Sequence, residues 1–155
     1  MKTVFVLIFL CNLAVIAVCD AVKKEIPDRY VVSLSLLAAA SAIIFRAPAL
    51  SSRILGGLCV SGLLLLIALA VPGAFGGGDV KLAAAGGLFL GVRSILVSAV
   101  IAFFLGGIYS AGLLAAQKRD RKSSIAFGPF LCAGMAAGVL WGNRLADWYM
   151  RSSFF

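Results

Sequence analysis

The sequence predicts an all-α, polytopic membrane protein with six transmembrane helices, the fourth short and preceded by a glycine-rich turn. Three observations predict it. Of the 155 residues, 63% are hydrophobic and the mean hydropathy is +1.10, whereas soluble domains hold roughly 45–50% apolar residues. Uncharged stretches recur at 3–19, 30–45, 54–78, 82–92, 94–116 and 125–143. The charges fall between these stretches, as they do in the loops of membrane proteins.

A bilayer core of roughly 30 Å needs about 20 helical residues, with a range of roughly 17–25. The first, third, fifth and sixth stretches reach that length; the second borrows flanking residues and the fourth is short. For 3–19 the alternative is a cleaved signal peptide, with Lys2, an apolar core and Ala17-Val18-Cys19 in place. Five further apolar segments and an otherwise unexplained Asp20 speak for a retained span. The second helix opens at Ile26-Pro27-Asp28, where the N–H that Pro27 lacks costs little. The third runs into Gly76-Gly77-Gly78, and the fourth starts at Asp79. The sixth opens on Phe127-Gly128-Pro129-Phe130, whose Gly-Pro pair suits a kinked or unwound start. Gly134, Gly138 and Gly142 repeat at four-residue spacing on the last helix, with Gly86, Gly87, Gly91, Gly106 and Gly107 earlier. Such residues let helix backbones approach closely in lipid. No linker or low-complexity tract divides the chain, so 1–155 reads as a single integral-membrane domain.

Composition excludes several function classes. The formal charge is +8, from 14 Lys and Arg against 6 Asp and Glu. In this setting the cations are loop charges that orient the protein and meet lipid headgroups, rather than a nucleic-acid surface. The chain has no His, which removes Ser-His and Cys-His triads and the commonest metal ligand. Cys11, Cys19, Cys59 and Cys132 lie inside apolar runs without a Cys-x-x-Cys pair. They read as buried small hydrophobes, with no metal site, no disulfide framework and no cofactor implied. With six crossings, 20–29, 73–79 and 117–124 share one side. That side holds eight cations (Lys23, Lys24, Arg29, Lys81, Lys118, Arg119, Arg121, Lys122) and the other six (Lys2, Arg46, Arg53, Arg93, Arg144, Arg151). The positive-inside rule makes the first side cytoplasmic, mainly through the 118–122 cluster.

Carboxylates are then the obvious chemistry, and two are placed for it. Asp79 follows a glycine run, which supplies conformations barred to other residues and lets a substrate backbone come close. It begins an apolar helix, where a charge is costly unless functional and where the dipole favours the ionised form. If Arg93 marks the far headgroups, 14 residues at about 1.5 Å each span about 21 Å, short of a core of about 30 Å. Asp79 is therefore expected below the membrane surface, in a wetted cavity. Asp20 ends the first helix, where the dipole disfavours a negative charge; Lys23 and Lys24 are nearby compensating cations. Two aspartates in unlike surroundings, facing one site, are the minimal equipment of an aspartic hydrolase, one activating water and the other holding a proton. Pro27 and the Phe127-Gly128-Pro129 stretch frame the same cavity. Glu25, Asp28 and Asp120 read as solvated loop charges, and Asp147 falls on the opposite side.

Taken together, these residues resemble the type IV prepilin peptidases, membrane aspartic proteases with a Gly-x-Gly-Asp motif. Three parts match in the family's order. Asp20 is followed six residues later by Ile26-Pro27-Asp28; Gly76-Gly77-Gly78-Asp79 continues into Val80-Lys81-Leu82; and Ala126-Phe127-Gly128-Pro129-Phe130-Leu131 supplies the third. The resemblance implies that Asp20 and Asp79 are the catalytic pair, shaped by Gly76, Gly77, Gly78, Lys81, Pro27, Phe127, Gly128 and Pro129. It implies an enzyme of the inner membrane that clips the basic leader from pilin-like precursors on the cytoplasmic side, next to their hydrophobic stem. Many bacterial members carry a cytosolic insert with paired Cys-x-x-Cys motifs, associated with N-methylation. This chain resembles the short members without it, so methyl transfer is not expected. A proton-coupled small transporter or channel is the alternative for intramembrane carboxylates, although no inverted repeat of paired broken helices is present. A small scaffold subunit, indifferent to both acids, is a third reading.

Overall fold

The computed structural model describes residues 1–45, 47–71, 75–115 and 126–153. These form five α-helices, with no strand among the described residues: α1 (Lys2–Lys23), α2 (Asp28–Ile44), α3 (Leu50–Ala70), α4 (Gly77–Ala115) and α5 (Gly128–Ser153). Helix α4 packs against α2, α3 and α5, while α1 packs against α2 and α5. The common core includes Phe9, Leu13, Leu34, Leu64, Leu82, Ile95, Leu131 and Met135, all nearly or fully buried. Outward-facing Leu58, Leu66, Leu69, Val100 and Phe104 remain exposed, an apolar surface of the kind that lipid covers.

The six predicted crossings are not what the structure shows. Among the described residues three helices are long and apolar enough to cross a membrane: Lys2–Lys23, Leu50–Ala70 and Gly77–Leu113. The fourth and fifth uncharged stretches join in the 39-residue α4, because the lone Arg93 between them is a good helix former and does not end a helix. The second stretch yields a 17-residue α2, at the short limit for a span. The sixth becomes α5, whose second half carries Arg144, Asp147 and Arg151. The basic run 117–124, the chief vote for orientation, lies outside the described residues, as do Arg46, Asp120 and part of the turn at 73–79.

Helix α4 nevertheless has a break. Gly91 adopts φ 77° and ψ 169°, outside helical space. A non-helical residue frees backbone groups on both sides, and within a membrane these must be satisfied by protein. The first turn of α3 supplies both partners. Ser52 Oγ accepts the Val92 N–H at 3.1 Å. Arg53 Nη1 donates to the Leu88 carbonyl at 3.1 Å and to Phe89 at 3.4 Å. The same guanidinium donates to Ser41 Oγ at 2.8 Å and, through Nε, to the Pro48 carbonyl at 3.1 Å. Arg53 is thus buried to 3% exposure and corrects its reading as a headgroup cation. Its planar fork suits several carbonyls at once.

Glycines set how closely the helices approach, as their spacing predicts. A Cβ on Gly87 would lie 2.5 Å from the Gly56 carbonyl carbon, so α3 and α4 cross backbone to backbone. On α5, Gly138 abuts Ser98, and a Cβ on Gly142 would lie 2.8 Å from the Cβ of Ser94. Small residues at such crossings allow the van der Waals packing that holds helices together in lipid.

Candidate active site

Three helix ends meet at one end of the bundle: the last turn of α1 and the first turns of α4 and α5. Phe9, Leu13, Ile16 and Asp20 are the buried residues of α1, a stripe of three- and four-residue steps that places Asp20 on the inward face. Asp20 is 5% exposed and Asp79 6%. The two carboxylates lie within electrostatic reach of each other. The packing of helix ends, rather than a count of crossings, is what brings them together.

Each acid lies against a glycine at a helix start: Asp79 beside Gly76 and Asp20 beside Gly128. Gly76 N–H donates to Asp79 Oδ2 at 3.2 Å, while Asp79 N–H donates to the Gly76 carbonyl at 3.0 Å. The carboxylate reaching back to the Gly76 amide is the acidic half of a capping box, with the acid at the third helical position; the other bond is made by the glycine's backbone carbonyl. Gly128 packs directly on the Asp20 carboxylate: a Cβ there would collide with Asp20 Oδ2 and lie 2.9 Å from its Cγ. The remaining oxygens, Asp20 Oδ2 and Asp79 Oδ1, are buried without a hydrogen-bond partner among the described residues. A buried acceptor with no partner is costly, so two where these helix ends meet mark a place where a ligand or water completes the bonding.

The glycine run serves a different purpose from the one expected. Among the described residues the only glycine with positive φ is Gly91, so Gly76, Gly77 and Gly78 are not used for barred backbone conformations. Gly78 is required by space: its Cβ would lie 2.9 Å from the Cβ of Ile26. Gly76 serves through its amide, and Gly77 faces open space, with nothing within 4 Å of a Cβ.

Ile26-Pro27-Asp28 docks on that same turn. Ile26 covers Gly78, Pro27 is the residue preceding α2, and Asp28 pairs with Lys81 at 2.9 Å. Asp28 is exposed, as its loop reading requires, but it is ion-paired and ties α2 to α4. Side-chain exposures of 69% for Asp28 and 58% for Lys81 make this a registration contact worth at most about 1 kcal/mol. Glu25 is exposed. Asp147 pairs with Arg93 at 3.7 Å, beyond the Gly91 break and away from the acids.

On the α5 side, Phe127 precedes the helix and its carbonyl accepts the N–H groups of Phe130 and Leu131 at 3.0 and 3.1 Å. Pro129 sits in the first turn, where a missing N–H is tolerated. Cys132, one turn on, is buried at 3% exposure and lies within electrostatic reach of both acids. The expectation of four buried cysteines holds for Cys132 alone; Cys11 and Cys59 are exposed and Cys19 is intermediate, because they sit on outward helix faces. Among the described residues no group of three His, Cys, Asp or Glu side chains could hold a metal ion. A separate cavity of about 150 Å³ lies at the opposite end, lined by Lys2, Phe5, Ser41, Phe45 and Arg53 among others. It contains no carboxylate.

A family model described as the type IV leader peptidase family matches residues 7–111. The chain belongs to that family. The matched span contains Asp20, the Ile26-Pro27-Asp28 turn and Gly76 to Asp79. Among curated relatives, a prepilin leader peptidase/N-methyltransferase of Bacillus subtilis (strain 168) is 26% identical over 144 residues, covering 93% of this chain and 58% of the relative. Proteins of the same name from Xanthomonas campestris pv. campestris and Legionella pneumophila are 40% identical over 76 residues and 35% over 75, covering 49% and 48% of this chain and 26% of each relative. The chain therefore spans little more than half of the first relative and about a quarter of the others. No solved structure matches it.

Proposed function

We propose that this leader peptidase family member is an aspartic endopeptidase that removes the basic leader from type IV pilin-like precursors, with Asp20 and Asp79 as its catalytic pair. The observation that carries the reading is the pair of buried carboxylates at the meeting helix ends, each packed against a glycine and each with an oxygen that has no partner among the described residues. Two coupled carboxylates retain a single proton between them more readily than two charges. The ionised member takes a proton from water, and the resulting hydroxide attacks the scissile carbonyl carbon. The protonated member donates to the carbonyl oxygen. Collapse of the gem-diol adduct breaks the C–N bond: the departing nitrogen takes the proton that the base removed, and a hydroxyl of the adduct returns a proton to the aspartate that donated one, leaving a carboxylic acid product and restoring the singly protonated pair. No covalent acyl-enzyme forms.

The names of the relatives motivate pilin precursors as substrates. An apolar substrate stem suits the lipid-facing surface around this site, and the chain as a whole acts as one domain. We place the protein in the cell inner membrane with the acid end toward the cytoplasm, motivated by the 118–122 cations and the positive-inside rule. The proposed activity ends at peptide cleavage.

The test is direct. The full chain, purified into proteoliposomes, is given a synthetic precursor carrying a basic leader and an apolar stem, and products are read by mass spectrometry. One cut between leader and stem is expected. An uncut precursor, with the protein folded, removes the proposal.

A further inference from the structure

The two glycines that lie against the acids, Gly76 through its amide and Gly128 by direct contact, each follow a phenylalanine, and those phenylalanines touch. Phe75 precedes Gly76 and Phe127 precedes Gly128. Their rings meet edge to face, with centroids 4.8 Å apart and planes at 70°. Both rest on Phe103 of α4, at 6.0 and 5.4 Å. Gly106 leaves room behind Phe127, since a Cβ there would lie 3.2 Å from its ring. Phe75 and Phe127 come from segments far apart in sequence, one leading into α4 and the other into α5. Their contact therefore fixes two chain segments relative to each other, one residue away from each glycine that lies against an acid.

We propose that the Phe75–Phe127 contact is a clasp that sets the separation of the two aspartate carboxylates, making both phenylalanines positioning residues for peptide cleavage. The inference rests on the proteolytic reading of the acid pair. Edge-to-face ring pairs add an orientation-dependent attraction beyond their apolar burial, so leucine keeps the apolar volume and loses the geometry. Small misplacements of acid-base groups penalise the chemical step more than substrate binding.

The test uses the full chain in proteoliposomes with the same synthetic precursor, comparing wild type, Phe75→Leu, Phe127→Leu, the double variant and Phe75→Tyr. Each leucine variant is expected to lose about fivefold in kcat, the scale of one ring–ring contact, with KM within twofold. The double variant should be no worse than about tenfold, because both changes break one contact. Phe75→Tyr keeps the ring and should stay within twofold of wild type. Unfolding temperature in detergent is followed in parallel, and Phe→Met variants replace any leucine variant that does not fold. Wild-type kcat in both single variants, a loss confined to KM, or losses that multiply to about 25-fold overturn the clasp while leaving the protease reading intact. A wild type that fails to cut the precursor removes the protease reading and the clasp with it.

Discussion

Replacing Gly128 with alanine probes the acid pair at its tightest contact. The new Cβ would collide with Asp20 Oδ2 and lie 2.9 Å from Cγ and 3.2 Å from Cβ. Carbon atoms rest at about 3.5–4.0 Å, so the carboxylate must retreat by about 0.6–1 Å. Gly128 is not among the positive-φ glycines, so backbone strain adds nothing and the effect is steric. Overpacking of this kind costs about 1–3 kcal/mol of stability, and a displacement of about 1 Å at a reacting group costs about 100-fold in rate. The assay is steady-state cleavage of a leader-bearing peptide in proteoliposomes, with thermal unfolding in detergent to confirm the fold. Gly77→Ala is the matched control: it adds the same methyl group on the Asp79 side, where nothing lies within 4 Å, and should remain within about twofold of wild type because a helix accepts alanine more readily than glycine. Wild-type cleavage by folded Gly128→Ala would refute the claim that the carboxylate position at this contact governs the chemistry.

Two further outcomes test the scaffold beneath the site. Gly87→Ala places a Cβ 2.5 Å from the Gly56 carbonyl carbon and 2.6 Å from the Gly57 nitrogen; it should push α3 from α4 and lower stability by about 2–3 kcal/mol, read as a lower unfolding temperature. Arg53→Ala strips the donor from the Leu88 and Phe89 carbonyls at the α4 break and should cost about 2–6 kcal/mol at about 1–3 kcal/mol per stranded carbonyl. Arg53→Lys should recover less than half of that loss, because one ammonium cannot reproduce the fork, and an unaltered unfolding temperature in Arg53→Ala would show that those carbonyls have other partners.

What could be read in advance was local. Asp20, Ile26-Pro27-Asp28, Gly76 to Asp79 and Phe127-Gly128-Pro129 are short motifs whose residue types announce helix ends. The three-dimensional site is largely those ends brought together. The burial of Asp20 was also readable from the α1 stripe of Phe9, Leu13 and Ile16, which continues to it at helical spacing. What escaped depends on partners distant in sequence. Arg53 looks like a loop cation, yet it is buried because Leu88 and Phe89, 35 and 36 residues away, offer carbonyls freed at Gly91. The break itself carries only a single glycine as its signal, and its caps, Ser52 and Arg53, come from another helix. The six crossings failed for a related reason: Arg93 was read as a boundary, whereas α4 continues past it and bends at Gly91. The Asp28–Lys81 pair spans 53 residues, and Phe75 stood out only once the fold set it against Phe127.

The central claim is that Asp20 and Asp79 act as one unit. It is tested by single-turnover cleavage of a leader-bearing precursor in proteoliposomes by wild type, Asp20→Asn, Asp79→Asn and the double variant, all matched for folding. Asparagine preserves shape and removes the acid. The account predicts that each single variant loses at least about 1,000-fold and that the double variant is no worse than either, the non-additivity of groups that work together. Cleavage at the wild-type rate by either folded single variant would contradict it.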